Sequence, residues 1–297
     1  MPRALVRVGV DTGGTFTDLV AITGSRVRLA KVPSTPDNPA RAVLAGLAEI
    51  VPPGTPVELT YSTTVATNAL LERRGARVLL FTTEGFEDVL EIGRQARPDL
   101  YALEPRRPPP LVERGDRLGV RERTTFTGAV LVPLGAAADR RALAQARRRR
   151  AQSVAVCFLH SYANPEHERR LVAALRAAGF LCSASHEISP RPREYERFST
   201  TVINAHVAPK MARHVAELAS RLAGGSFRVM QSNGGAIDAA TAAREAARTI
   251  LSGPAAGVVG AQAMARAAGF ERIVTFDMGG TSTDVCLVDG PVRRHSE

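Results

Sequence analysis

One eight-residue pattern occurs twice in this chain of 297 residues, once near each end. Residues 11–18 read DTGGTFTD and residues 277–284 read DMGGTSTD, so both copies share the frame D-x-G-G-T-x-T-D. Each copy lies between two short apolar runs, which predicts a strand, a glycine-rich turn and a second strand. One such turn is a common hairpin connection, but two copies of the same frame indicate a repeated site.

The residue types in the repeated turn suit the binding of phosphate. Glycine permits positive φ and close approach, consecutive backbone N–H groups form an anion-binding concavity, and threonine adds hydroxyl donors. An aspartate beside phosphate is repulsive unless a divalent cation lies between them, and Mg²⁺ prefers few carboxylates together with water and phosphate oxygens. Two facing loops of this kind predict a nucleoside triphosphate in a cleft between two related domains.

The candidate site residues follow from the two copies. Asp11 and Asp277 are the predicted catalytic residues and the predicted ligands of Mg²⁺ or Mn²⁺, where they would organise metal-bound water. The predicted cofactor-binding residues are Thr12, Gly13, Gly14, Thr15, Thr17, Gly279, Gly280, Thr281 and Thr283.

Other polar residues follow predicted strands elsewhere in the chain. Thr63, Thr64 and Asn68 lie at a strand-to-helix junction, and Asn233 lies in a turn after another strand. All four are candidates for contact with substrate. Helix capping and an ordinary turn are the alternative explanations for the same residues.

Composition narrows the classes of protein. The formal net charge is +10, but no series of base-stacking aromatic residues accompanies it and tryptophan is absent, so we expect no nucleic-acid partner. No apolar run is long enough for a transmembrane helix, and the first ten residues do not resemble a secretory signal, so we expect no membrane and a cytoplasmic location. The three cysteines are far apart, which argues against a disulfide framework or a zinc site.

Helix and strand patterns alternate along the chain, which is typical of an α/β layered fold. The first strands predict an antiparallel meander, and a helix is predicted at Pro39–Ile50 with Asn38 as its N-cap. TVATNALLERRG predicts a helix closed by Gly75, and a long helix is predicted near 195–223 with Pro209 inside it.

We place a domain boundary near residue 195, which gives a first domain of residues 1–195 and a second of residues 196–297. Only residues 285–297 follow the second copy of the repeat. We therefore expect a fragment of a longer protein, or a chain that a partner completes, with its second domain incomplete.

Several stretches resemble known proteins. GVDTGGTFTDLV and TFDMGGTSTDVCLVDG resemble the two phosphate loops of the actin-like ATPase superfold. VDTGGTFTD, STTVATNALLERRGARVLLFTTEGFEDVLEIGRQ, FLHSYANPEHE, MQSNGG and SGPAAGVVGA resemble, in this order, the hydantoinase A / 5-oxoprolinase family, which includes subunits of N-methylhydantoinase, 5-oxoprolinase and the acetone and acetophenone carboxylases.

The resemblance implies an actin-like (ribonuclease H-like) ATPase fold of α/β class with two related domains, the second truncated. It implies ATP as cofactor, residues 11–15 and 277–281 as the phosphate loops, and a helix from residue 252 that crosses between the domains. Members of the family continue past the second loop into the adenosine-binding segment. The resemblance therefore places the adenosine-site residues outside this chain, and an isolated fragment is expected to be inactive.

The implied activity is that of an ATP-dependent hydrolase subunit acting on a cyclic amide of the hydantoin or 5-oxoproline type. The substrate carbonyl oxygen would be activated by phosphorylation, and a second subunit of the hydantoinase B type would be the partner. The alternatives are a subunit of the acetone or acetophenone carboxylase type, a non-enzymatic actin-like nucleotide switch, and a sugar or acid kinase.

Overall fold

The structure is a computed structural model that describes residues 5–96, 100–104, 108–222, 224–278 and 283–290. Its strands, numbered along the chain, are β1 (Val6–Thr12), β2 (Phe16–Thr23), β3 (Arg26–Pro33), β4 (Val57–Thr63), β5 (Val78–Thr83), β6 (Arg117–Val120), β7 (Arg123–Thr124), β8 (Val130–Val132), β9 (Ser153–Cys157), β10 (Cys182–Ala184), β11 (Gly225–Met230), β12 (Ala236–Asp238), β13 (Arg272–Met278) and β14 (Thr283–Asp289).

The α-helices are α1 (Pro39–Ile50), α2 (Val65–Leu71), α3 (Val89–Ile92), α4 (Ala138–Arg148), α5 (Glu166–Ala177), α6 (Ser185–Ile188), α7 (Glu194–Arg221), α8 (Ala239–Arg244) and α9 (Ser252–Ala267). Helix α7 contains Pro209, so the predicted long helix with an internal proline is confirmed. Among the described helices, none combines the length and the apolar character that crossing a membrane requires.

Packing divides the chain into two compact units. Met1–Leu71 and Lys210–Glu297 form the first unit, and Glu72–Pro209 forms the second. The chain leaves the first unit after α2 and returns to it within α7, so these units do not follow the order of the sequence. These compact units differ in their bounds from the predicted domains, residues 1–195 and 196–297. The domain boundary near residue 195 stays a prediction.

The first unit contains a six-stranded mixed sheet in the order β12-β11-β4-β1-β2-β3. β1, β2 and β3 pair antiparallel in succession, which confirms the predicted meander. β4 runs parallel to β1, and β11 runs parallel to β4. Along β1 buried residues alternate with exposed ones, as expected of a strand with one face toward a core. The ends of β1 and β4 therefore lie side by side.

Helix α1 covers one face of this sheet and begins where the sequence predicts. The Asn38 side chain accepts a hydrogen bond of 3.1 Å from the backbone N–H of Ala40, and proline occupies the first turn. Val43 and Leu47 of α1 belong to the same buried cluster as Leu19 of β2. The predicted helix and its N-cap are confirmed.

The second unit contains a four-stranded parallel sheet in the order β10-β9-β5-β6. Every residue of β5 and β9 is buried, as expected of parallel strands covered on both faces. Leu171 and Leu175 of α5 and Ala142 of α4 pack in one apolar cluster with Phe81 of β5. This unit has the layered α/β arrangement that the sequence predicts.

Helix α2 is shorter than predicted, because it ends at Leu71 rather than at Gly75. Arg73, two residues after the end of α2, has a left-handed φ of 54°. Gly75 has a different role in the second unit. A Cβ at Gly75 would lie 2.4 Å from His206 Cδ2, and the backbone N–H of Gly75 donates to His206 Nε2 at 3.1 Å. The glycine is required for close packing and not for closing the helix.

Candidate functional site

The first copy of the repeat forms the turn between β1 and β2. Gly13 N donates to Phe16 O at 3.0 Å, which closes the turn just after Asp11. Neither Gly13 nor Gly14 has a positive φ, so these glycines do not supply left-handed backbone. A Cβ on Gly13 would lie 3.3 Å from Phe16 O, whereas a Cβ on Gly14 would meet no atom within 4 Å. The surface over Gly14 and Thr15 is open, so a ligand can approach the backbone there.

Two of the predicted threonines face into the protein. Thr12 and Thr17 are buried, and their Oγ1 atoms lie 3.4 Å apart. Thr17 Oγ1 also lies 3.0 Å from Ser34 Oγ, which donates to Gly13 O at 2.9 Å. These hydroxyls hold the shape of the loop, and Thr15 is the predicted threonine of this copy that is exposed.

The second copy lies in the β13–β14 hairpin and has the same register as the first. Asp277 pairs with Asp284 across β13 and β14, as Asp11 pairs with Asp18 across β1 and β2. Thr283 is exposed at the start of β14. Each copy therefore places one aspartate directly opposite another. The remaining predicted residues of the second loop lie outside the described residues: Gly279, Gly280 and Thr281.

Helix α9 brings the two copies together in the first unit. A Cβ on Gly253 would lie 3.7 Å from Asp11 Oδ1, and a Cβ on Gly257 would lie 3.8 Å from Asp277 Oδ2. Residues four apart share one face of a helix and are separated by about 6 Å along its axis. The two glycines thus leave room for Asp11 and Asp277 beside the first turns of α9.

The environment of Asp11 opposes its negative charge. Burial of the carboxyl group raises its pKa above the usual value, and the like charges of Asp18 and Asp277 raise it further. The hydroxyl of Ser62 acts in the opposite direction, although Ser62 Oγ has no partner at hydrogen-bonding geometry among the described residues. Lys31 donates to Asp18 at 2.8 and 3.0 Å and offsets one of these charges. A carboxylate placed in this way favours the approach of a cation.

The amino end of α9 is fastened to β4 and α2. Ser252 Oγ accepts from Thr63 N at 3.4 Å and donates to Thr63 O at 3.3 Å. Leu251 N donates to Thr67 Oγ1 at 2.9 Å. Leu251 has a φ of 59°, a strained value for a non-glycine residue that persists only where neighbours fix the backbone. The position of α9 relative to Asp11 is therefore well determined.

The residues predicted to contact substrate have structural partners. Thr63 Oγ1 accepts a hydrogen bond from the backbone N–H at the start of α2. Asn68 bonds to Thr64 twice: its Nδ2 donates to Thr64 Oγ1 at 3.4 Å, and its backbone N–H donates to Thr64 O at 2.8 Å. The Asn233 side chain accepts from Gly235 N at 2.8 Å within an exposed turn. Thr64 and Asn68 are half-buried and Asn233 is exposed, so these side chains remain accessible while they stabilise α2 and the turn.

A cleft of about 520 Å³ lies between α9 and the β13–β14 hairpin. Asp277 and Asp284 line it from the hairpin, Gly257 lines it from α9, and Ser232 contributes from the turn that also contains Asn233. Its size is that of a pocket for a small ligand. The cleft places Asp277 where a bound molecule would meet it.

Sequence reasoning missed a buried pair beneath the first loop. Tyr61 Oη and His214 Nε2 lie 2.8 Å apart, and both side chains are buried. Burial raises the pKa of Tyr61 to about 12 and lowers the pKa of His214 to about 4. No motif marks these residues, since they meet only when α7 packs against β4. Ser62, next to Tyr61, was also missed, since its environment forms only when β4 pairs with β1 and α9 packs beside them.

The donor set fits a magnesium-type cation. No group of three or more His, Cys, Asp or Glu suited to holding a metal occurs in the part of the chain that the structure describes. Asp11 and Asp277 offer two hard carboxylates, the number that Mg²⁺ uses when phosphate oxygens and water complete its coordination. Asp277 is exposed and Asp11 is exposed in part, since its carboxyl group is the buried portion of the residue, which leaves room for such ligands.

Family models match both parts of the chain. The model of the hydantoinase/oxoprolinase N-terminal region matches residues 7–179, and the hydantoinase/oxoprolinase model matches residues 197–297. The chain belongs to the hydantoinase/oxoprolinase family. The family resemblance predicted from the sequence is confirmed.

Relatives within the hydantoinase/oxoprolinase family have diverse names. Caprolactamase subunit alpha of Pseudomonas jessenii is 38% identical over 309 residues, which cover 98% of this chain and 44% of that protein. The 5-oxoprolinase of Saccharomyces cerevisiae is 31% identical, over 96% of this chain and 26% of the yeast protein. The chain spans less than half the length of these relatives.

A solved structure resembles nearly the whole length of this chain. The nucleotide-free structure of acetone carboxylase, from work on ATP-dependent acetone carboxylation, has a TM-score of 0.84 and 32% identity, over 97% of this chain and 44% of that chain. The predicted α/β fold of the actin-like ATPase type, truncated relative to its full-length relatives, is confirmed.

Proposed function

We propose that this chain is the ATP-using part of a cyclic-amide hydrolase of the hydantoinase or 5-oxoprolinase type. The observation that carries this proposal is the placement of Asp11 and Asp277 beside one face of α9, each in a copy of the same hairpin. The names caprolactamase and 5-oxoprolinase among the relatives both indicate lactam substrates, which supports a cyclic amide here as well.

The predicted roles of the site residues are part of the proposal. Asp11 and Asp277 would hold Mg²⁺ or Mn²⁺, which when bound supplies positive charge against the phosphate oxygens of ATP. The open backbone at Gly14 and Thr15, and the second loop from Gly279 to Thr283, would bind the phosphates. Thr12 and Thr17 act by keeping the first loop in its closed shape, since their hydroxyls are used inside it.

The reaction transfers a phosphoryl group to carbon-bound oxygen. The lactam carbonyl oxygen attacks the terminal phosphorus of ATP, the bond to the bridging oxygen breaks, and ADP leaves. Water then adds to the activated carbon, the ring C–N bond breaks, and the nitrogen leaves as an amine. A second water releases phosphate from the resulting acyl phosphate, so one ATP and two waters yield the open amino acid, ADP and phosphate. The protein contributes by positioning and by neutralising charge.

The substrate and the partner are expected near the same elements. Thr64, Asn68 and Asn233 keep accessible polar groups that would contact the cyclic amide, and Thr63 fixes the start of α2. The proposed partner is a second subunit of the hydantoinase B type, because relatives such as caprolactamase are named as subunits.

A carboxylase subunit is the second candidate. The likeness to the acetone carboxylase structure, with a TM-score of 0.84, supports it. In that case the phosphorylated molecule would be a ketone enolate or bicarbonate, and carbon–carbon bond formation would replace ring opening. A sugar or acid kinase and a non-enzymatic switch would retain the phosphate loops but open no ring.

The test is an assay of the complete natural protein with its partner subunit. Phosphate release and product are measured with caprolactam, 5-oxoproline and hydantoins, and separately with acetone and acetophenone in the presence of bicarbonate. We expect ring-opened product and phosphate in equal amounts with a cyclic amide. Turnover only with a ketone and bicarbonate would favour the carboxylase, and release stimulated only by a sugar would contradict the proposal.

A further inference from the structure

The hydroxyl of Ser62 is buried beside the Asp11 carboxyl group and has no partner at hydrogen-bonding geometry among the described residues. Ser62 lies on β4 beside Asp11 of β1 in the parallel register, and it is 2% exposed. Burying a hydroxyl without a hydrogen bond destabilises a fold, so such a group in a native protein requires an explanation. A ligand that accepts a hydrogen bond at this point would supply one.

The space in front of Ser62 is bounded by α9. A Cβ on Gly253 would lie 3.7 Å from Ser62 Oγ and also 3.7 Å from Asp11 Oδ1. The absence of a side chain at Gly253 therefore leaves the hydroxyl and the carboxylate facing the first turn of α9. The amides of Ser252 and Gly253 have no acceptor within the helix, whereas Pro254 has no N–H, and a helix of sixteen residues carries partial positive charge at its amino end.

We propose that Ser62 Oγ donates a hydrogen bond to an oxygen of the terminal phosphoryl group of ATP, at the amino end of α9. Helix amino ends bind phosphate through free N–H groups and the helix dipole. Asp11, on the other side of the same space, would repel that phosphate unless a cation lies between them, which agrees with its proposed role as a metal ligand. The assignment rests on the proposed use of ATP and makes Ser62 the residue that distinguishes ATP from ADP.

The surrounding hydrogen bonds keep these groups in position before a ligand arrives. Thr63, the residue after Ser62, exchanges two hydrogen bonds with Ser252 Oγ, and Leu251 N is held by Thr67 Oγ1. Because β4 and the amino end of α9 are joined directly, the distance from Ser62 to the first turn of the helix is fixed.

The test compares the binding of ATP and ADP, each with Mg²⁺, to the complete natural protein by isothermal titration calorimetry. In Ser62→Ala we expect the affinity for ATP to fall about tenfold while the affinity for ADP changes less than about twofold. Gly253→Ala, which places a methyl group in the same space at ordinary contact distance, should weaken ATP binding as well. The control is Ser226→Ala, the same substitution at an exposed position of β11 in the same sheet.

A second readout separates binding from structure. The unfolding midpoint of nucleotide-free Ser62→Ala should equal or exceed that of the wild type, because the variant removes a buried hydroxyl without a partner. A lower midpoint, or equal effects on ATP and ADP, would overturn the role of Ser62 and leave the use of ATP intact. Wild-type protein that binds neither nucleotide would instead contradict the proposed function and this inference with it.

Discussion

Asp11 and Asp277 lie beside the same face of α9, Asp11 next to Gly253 and Asp277 next to Gly257. The two aspartates occupy the same position in two copies of one hairpin, and each faces a further aspartate across its strands. Four carboxylates therefore lie in two hairpins of one unit. Repulsion between these carboxylates is relieved when a cation binds, so their negative charge favours cation binding at this site.

Removal of either carboxylate should abolish the use of ATP. We expect Asp11→Asn and Asp277→Asn each to reduce ATP hydrolysis by about 100-fold or more, as found when charge stabilisation of a transferring group is lost. The measurement is phosphate release by the complete natural protein with saturating substrate. Asp289→Asn, an exposed change at the end of the same hairpin, should retain wild-type turnover. Full activity in Asp277→Asn would disprove the role of that residue.

Asp11 should also reduce the stability of the ligand-free protein. Its pKa is raised in the folded state, mainly by burial, so the folded protein binds this proton more tightly than the unfolded chain does. The contribution of Asp11 to the free energy of unfolding is greatest below the pKa that its carboxyl group has in the unfolded chain. This contribution is lost as the pH rises through the pKa of the same group in the folded protein. At neutral pH, Asp11→Asn should raise the nucleotide-free unfolding midpoint by about 1–3 °C. Thermal scans test this, and a lower midpoint in Asp11→Asn would contradict it.

The pair of His214 and Tyr61 predicts a pH dependence of stability. The pKa of His214 is lowered to about 4 from 6.5, so protonation favours the unfolded chain, and stability falls as the pH decreases from about 6.5 toward 4. The full loss below pH 4 is on the order of 3 kcal/mol. Denaturant unfolding at a series of pH values measures this loss.

Two variants separate the contributions of this pair. His214→Gln should flatten the dependence of stability on pH between 6.5 and 4. Tyr61→Phe should lower the free energy of unfolding by about 1 kcal/mol at pH 7.5 and keep the dependence, because the histidine is retained. An unchanged pH dependence in His214→Gln would show that another group causes it.

Two glycines in the first unit should respond differently to alanine. Gly225 has a φ of 92°, and a Cβ there would lie 2.0 Å from Val57 O, so Gly225→Ala should destabilise the sheet by about 3 kcal/mol or more. Gly14 has neither constraint, so Gly14→Ala should leave the unfolding midpoint unchanged. If the open surface at Gly14 receives phosphate, Gly14→Ala should nevertheless weaken ATP binding about tenfold. Undiminished binding would place the phosphates elsewhere.

The features that the sequence predicts well are local. The strand–turn–strand around Asp11 needs only neighbouring residues, and so does the Asn38 cap of α1, which is why both appear in the structure as expected. The role of Gly75 was misassigned because a helix-ending glycine and a glycine in close contact look the same in sequence. Only the position of His206, more than a hundred residues later, distinguishes them.

The features that the sequence does not reveal depend on distant pairing. Ser62 becomes an unpartnered buried hydroxyl only after β4 has paired with β1 and α9 has docked on its end. Thr17 looks like a ligand-facing hydroxyl until Ser34, the residue after β3, meets it. Such contacts join segments that lie apart in the sequence, and no repeating pattern of residues indicates that they will meet.

The ion pair between Lys31 and Asp18 gives this protein a built-in attachment point for a chemical probe. Lysine occurs only at positions 31 and 210, because arginine supplies the remaining basic side chains. The amine of Lys31 lies on the strand beside the first loop, its side chain is 58% exposed, and it stands 5.0 Å from the ring centre of Phe16. An amine-reactive fluorophore would therefore label few side chains among these 297 residues, and its emission at Lys31 would follow changes in the first hairpin without any substitution.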